Sequence, residues 1–183
     1  MVDHLVMFGT PNNGSPFGKV DLARRLSSLL TTLAINTFPA FAPFGAALLS
    51  ALIRSQKLTP TLEQMNPGSE FIRTLNTSDD PGVPYTIVAG DIRDYREQSE
   101  KLTPQLIATI GGGPLFDVLY QDGGHDIAVA DDSIRSVPDA RTPPPLKISA
   151  ACHHLNYFVS DAGLRAMSDI DWHASVEGAS DGR

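Results

Sequence analysis

Only one cysteine, Cys152, occurs in the 183 residues, so the chain has no internal disulfide framework and no zinc site built on several thiolates. Positive charge is also scarce. Lys and Arg number 14 against 21 Asp and Glu, a formal net charge of −7, and Arg24-Arg25 is the only adjacent basic pair. Phosphate backbones are held by clustered cations, so nucleic acid is not expected as a partner. A membrane-spanning helix needs about 20 consecutive apolar residues. The longest candidate, residues 38–53, is interrupted by Pro39, Pro43 and Gly45, and no span is expected. No basic segment followed by an apolar one opens the chain, so the expectation is a soluble, cytoplasmic protein without a signal peptide, the compartment itself being left open.

What is present is globular in composition: 42% hydrophobic and 19% charged residues. The length suits one domain, residues 1–183, with a disordered tail over about 175–183.

Residues 4–8, HLVMF, form the short continuous apolar run of a strand covered on both faces. From 20 to 35, Val20, Leu22, Ala23, Leu26, Leu29, Leu30, Leu33 and Ala34 recur at helical spacing. A second helix, apolar nearly all round, is expected over 44–53, and two short helical turns within 58–76. VPYTIVAG, ending at Gly90, reads as a second strand. A helix over 104–110 begins with Pro104 at its first position. LKISAAC, residues 146–152, is a third strand, and residues 161–170 a closing helix with Ser160 as its N-cap. Strands alternating with helices predict an α/β fold with a parallel sheet.

The turn after the first strand, GTPNNGSPFG, has Gly9 and Gly14 at the spacing of a phosphate loop. It lacks the Lys and Ser or Thr that neutralise phosphate charge and hold magnesium, which argues against a nucleotide site. Ser15 is a poor nucleophile candidate, because Pro16 removes the amide that would serve the oxyanion and Gly-x-Ser-x-Gly is absent. It reads as a turn or cap serine.

LVMFGTPNNGSP does resemble the strand and loop that follow the nucleophile strand in α/β-hydrolases of the lipase, esterase and acyltransferase type. MNPGSEFIRTLN, residues 65–76, is similar to the segment after the lid in that family, and VPYTIVAGD, residues 83–91, to its next core strand. The resemblance covers residues 2–167. It implies a partial α/β-hydrolase fold: about three mostly parallel strands, flanking helices, and a helical lid-like insertion over about 17–76. Residues 38–53 suit such a lid over an acyl-binding pocket and equally suit a buried core helix.

In a serine hydrolase a histidine takes the serine proton while a carboxylate orients the imidazole and stabilises its charged form. CHHLNYF, residues 152–158, resembles the histidine loop of the family and implies His154 as the base, with His153 its neighbour. For the acid, Asp91 follows the second strand directly, whereas Asp126 in GGHDIAVADDSI resembles the pattern found in many lipases and is favoured. Ile127 and Val129 would anchor that loop in the core, while Asp131 and Asp132 read as a solvated face. His125, His153 and His154 raise the question of a metal, yet they lack the spacing of a zinc site, and no metal or cofactor is expected.

The resemblance therefore implies the C-terminal part of a serine ester hydrolase, supplying acid and base. The nucleophile is expected on an upstream segment of the same protein, and the substrate is a lipophilic ester or acyl compound. Without that segment the first strand would expose an apolar edge, so an isolated chain is expected to associate or to be unstable and inactive. The alternative is a non-catalytic hydrolase remnant acting as an interaction module.

Overall fold

The computed structural model describes residues 2–19, 60–94, 119–121, 123–138 and 140–172, with four isolated positions between 31 and 47. The helices expected over 20–35, 44–53 and 104–110, the 20–59 portion of the lid-like insertion and the tail 175–183 lie outside the described residues, those isolated positions apart.

Three strands, β1 (Leu5–Phe8), β2 (Tyr85–Gly90) and β3 (Leu146–Ala150), form one parallel sheet in the order β1-β2-β3. Leu5 lies opposite Tyr85 in the first pair, and Thr86 opposite Leu146 in the second. Every residue of β2 is buried, which suits a central strand of aromatic and β-branched residues that is covered on both faces.

Side chains alternate across a strand, so β2 feeds two separate cores. Tyr85, Ile87 and Ala89 face a cluster that includes Phe17, Ile92, Tyr120, Ile127, Val129 and Ile134, with Met7 of β1 packed against it. Val88 faces the opposite side, where Ala150, Cys152, Tyr157, Ala166 and Ile170 gather with Val6, Phe8 and Ile148. The result is an α/β arrangement with a layer on each face of a small open sheet.

The covering pieces are short. Helix α1 (Pro60–Gln64) packs against a 3₁₀ turn, Pro16–Gly18, and α2 (Glu70–Thr77) starts at Ser69, whose Oγ accepts from the Ile72 amide at 3.2 Å. Helix α3 (Asp131–Ile134) lies against β2. Helix α4 (Asp161–Ser168) covers β3, and Ser160 Oγ accepts from the Gly163 amide at 3.1 Å, the N-cap geometry that satisfies an otherwise orphan donor.

Two elements end earlier than the sequence pattern suggests. Helix α4 stops at Ser168 because Asp169 caps it and the Ile170 amide bonds the Met167 carbonyl in a tighter turn, which drops Ile170 into the core. Strand β3 stops at Ala150 because the Cys152 amide bonds back to the Ala150 carbonyl and turns the chain over the sheet end. Among the described residues no helix is long and apolar enough to cross a membrane.

Ile87 is completely buried at the centre of β2. Ile87→Ala should cost about 2–5 kcal/mol of unfolding free energy, whereas Leu164→Ala on the exposed face of α4 should change it by no more than about 0.5 kcal/mol. Urea titrations of the two variants would check the contrast; similar losses would mean that β2 is not the core.

Candidate functional site

The loops beyond the carboxyl ends of the strands bring together side chains from two segments. One is the turn 125–130, closed by a bridge between His125 and Ala130. The other follows β3, where residues 152–160 reverse the chain before α4. They are stitched by backbone as well as side chain: the His154 amide donates to the Asp126 carbonyl at 2.9 Å.

Asp126 is fully buried, and a buried carboxylate is tolerable only where donors replace its hydration. Four donors do so here. Oδ1 accepts from the Ala128 and Val129 amides at 3.0 and 2.8 Å. Oδ2 bonds Nδ1 of His154 at 2.8 Å and accepts from the Tyr157 hydroxyl at 3.0 Å. Because the carboxylate has no proton to give, Nδ1 is the donor in its bond.

The turn that aims Asp126 is held under strain. Ile127 has φ of 87°, a left-handed value that costs a β-branched residue about 1–3 kcal/mol. Its amide donates to Nδ1 of His125 at 3.1 Å, its carbonyl accepts from the Tyr120 hydroxyl at 2.7 Å, and its side chain is wholly buried. Tyr120 also stacks on His125, with ring centres 4.2 Å apart. Ile127 and Val129 thus anchor the turn in the core while its backbone presents the acid.

His154 is the exposed member, with 31% of its side chain reaching solvent. Burial opposes its charged form, but the hydrogen bond and negative charge of Asp126 outweigh that and hold its pKa above the ordinary histidine value. Among the described residues no hydrogen bond engages Nε2. The pair can therefore accept a proton at Nε2 and stabilise the resulting imidazolium.

The other candidates go elsewhere. Asp91 does follow β2, but it is bound by Arg93, with the guanidinium 2.6 Å from Oδ2. Burial opposes its charge, and Arg93 prevails to keep the carboxyl below the usual carboxylate range. The structure therefore joins His154 to Asp126 and ties Asp91 to Arg93. Ser15 is buried, its hydroxyl donating to the Ala128 carbonyl at 2.7 Å and capping the 3₁₀ turn by accepting from Phe17. Asp131 pairs with Arg135 one helical turn along.

His125 and His153 are structural acceptors, Nδ1 of His153 receiving the Leu155 amide at 3.3 Å. Burial pushes the pKa of each down to about 4. Burial likewise pushes the Cys152 thiol up to about 12, which leaves it protonated and unreactive. Among the described residues no group of three or more His, Cys, Asp or Glu side chains is placed to hold a metal ion.

Sequence reasoning passed over Tyr157, which lies within CHHLNYF. Its hydroxyl accepts from the Gly90 amide at 2.8 Å while donating to Asp126. Room for that oxygen comes from two strand ends without side chains. A Cβ at Gly90 would lie 2.6 Å from the hydroxyl, and one at Gly9 would lie 2.5 Å from Oδ2 of Asp126. Gly9 also has φ of 56°, which favours glycine. The Gly9 and Gly90 positions in the sequence were the available signal.

Residues 1–171 match the family described as Domain of unknown function (DUF7379), and the chain belongs to that family. No curated protein and no solved structure matches the chain.

The two buried neutral histidines should make the fold acid-sensitive. Each binds a proton more readily unfolded than folded, so its contribution is full above about pH 6.5 and is lost as the pH falls towards the folded-state value near 4. The slope is about 1.4 kcal/mol per pH unit for each ring. His154 acts oppositely, its contribution being complete below the ordinary histidine value and lost as the pH rises through its elevated folded-state value. Urea midpoints between pH 5 and 6.5 should show a clearly shallower slope for His153→Asn, which retains an acceptor for Leu155; an unchanged slope would show that His153 is not buried in its neutral form.

Proposed function

We propose that this member of the DUF7379 family carries the acid and base of a serine ester hydrolase. His154 is the base and Asp126 its carboxylate partner. The nucleophilic serine comes from a Gly-x-Ser-x-Gly segment upstream of this chain, and the substrate is a lipophilic ester or acyl compound.

The observation that carries this reading is the 2.8 Å bond between Nδ1 of His154, whose side chain is part-exposed, and Oδ2 of a fully buried Asp126. Its position supports the reading further, since ligand sites in open parallel sheets lie in the crevice beyond the carboxyl ends of the strands. Both loops emerge there, around the ends of β1, β2 and β3.

In the proposed reaction Nε2 removes the proton of the serine hydroxyl as its oxygen attacks the ester carbonyl. The imidazolium then returns that proton to the departing alcohol. Water repeats the sequence: Nε2 takes its proton as the water oxygen attacks the acyl carbon, and when the acyl-serine bond breaks the imidazolium returns that proton to the serine oxygen and the carboxylic acid leaves. The Asp126 carboxylate stabilises the imidazolium that forms twice per turnover.

The test uses the full-length gene product and a fluorophosphonate, which labels only an activated serine. Labelling and ester hydrolysis should both be present, and His154→Ala or Asp126→Asn should reduce hydrolysis by about 10³–10⁴-fold, while Asp91→Asn remains near the parent rate. Absence of labelling in the intact gene product would favour the interaction-module alternative. Equal hydrolysis by His154→Ala and the parent protein would remove the assignment of the base.

A further inference from the structure

We infer that Tyr157 is a positioning residue for the His154–Asp126 pair, setting the basicity of the imidazole through the carboxylate oxygen that the two rings share; this rests on the reading of that pair as a proton-handling one. Tyr157 is nearly completely buried, and its hydroxyl has two partners in line. The Gly90 amide donates to it, and it donates to Oδ2 of Asp126.

The Gly90 amide marks where the sheet hands over to the site. The β1–β2 pairing ends with Phe8 opposite Val88, and the Gly9 amide makes the last bond across, to the Val88 carbonyl at 3.0 Å. Two residues beyond Val88 the Gly90 amide donates to the phenol. A rigid sheet end thereby aims a side-chain hydroxyl at the acid. The ring is held edge-on by Phe8, with centres 5.9 Å apart, and backs against β3 and α4 in the second core.

A phenylalanine would fill the same apolar cluster, so packing alone does not require the hydroxyl. Glycine at positions 9 and 90 points the same way, since a Cβ at either would come within 2.9 Å of the phenol oxygen. Burial, reinforced by the negative charge of Asp126, raises the phenol well above its ordinary pKa, so it stays protonated and remains a donor.

The consequence has a definite sign. Oδ2 shares its negative charge between the phenol proton and the proton on Nδ1 of His154. Removing the phenol donor concentrates that charge on the imidazole and makes it more basic. The titratable groups facing His154 are Asp126, Tyr157, whose ring centre lies 6.5 Å away, and the neutral ring of His153 beside it. Tyr157 shares with His154 the Oδ2 oxygen of Asp126.

Nuclear magnetic resonance titration of the His154 ring in the full chain tests this without any substrate. Tyr157→Phe should raise the His154 midpoint by roughly half a pH unit or more. An unchanged or lowered midpoint in the folded variant would overturn the inference. If Tyr157→Phe does not fold, 3-fluorotyrosine at position 157 keeps the shape and strengthens the donor. The midpoint should then fall, and an unchanged or raised value would overturn the inference. Fluorophosphonate labelling of the full-length protein is scored separately: a shifted titration with labelling indifferent to His154→Ala removes the base and leaves the coupling, whereas a fixed titration with labelling lost removes the coupling and leaves the base.

Discussion

The carboxylate of Asp126 is the point on which the described structure turns. An unpaired buried charge would cost several kcal/mol, so every segment that supplies it with a hydrogen-bond donor is held in place by the same need. The turn at 128–129 gives two amides, the loop after β3 gives an imidazole and a phenol, and the phenol reaches the sheet through Gly90. The acid is thus the meeting point of both loops and the central strand. A structure in which that carboxylate is satisfied has also oriented His154.

This arrangement accounts for features that look wasteful alone. The strained backbone at Ile127 is held by a buried side chain, by a bond from its amide to His125 and by one from the Tyr120 hydroxyl to its carbonyl, and what the strain accomplishes is to turn two amides towards Oδ1. The strand-terminal glycines forgo side-chain packing, and what their bareness admits is the acid and the phenol. Local preference is surrendered where the site needs it and kept elsewhere, the relation expected when geometry around a functional group is set by its surroundings.

Much of the frame was legible in the sequence. The strands lie within HLVMF, VPYTIVAG and LKISAAC because their apolar content and turn-forming borders leave little alternative, and Ser160 announced α4 through capping chemistry. The pairing of His154 with Asp126 was reachable only through resemblance, since 28 positions separate them and no periodicity links two loops. Tyr157 escaped because its importance lies in a hydroxyl whose partners, Gly90 and Asp126, are distant in sequence. The helix Asp131–Ile134 escaped as well, being too short to show a period. What remained hidden was the tertiary hydrogen bonding, which composition does not encode.

The two oxygens of Asp126 do unlike work: among the described residues Oδ1 bonds only backbone amides, and Oδ2 only the side chains of His154 and Tyr157. An asparagine there would have no choice of orientation. Its carbonyl would turn to the amides and its NH₂ to the imidazole, so the ring would have to accept at Nδ1 and carry its hydrogen on Nε2. One atom's difference would thereby select the wrong tautomer, leaving a well-formed loop whose outward nitrogen has no lone pair to offer.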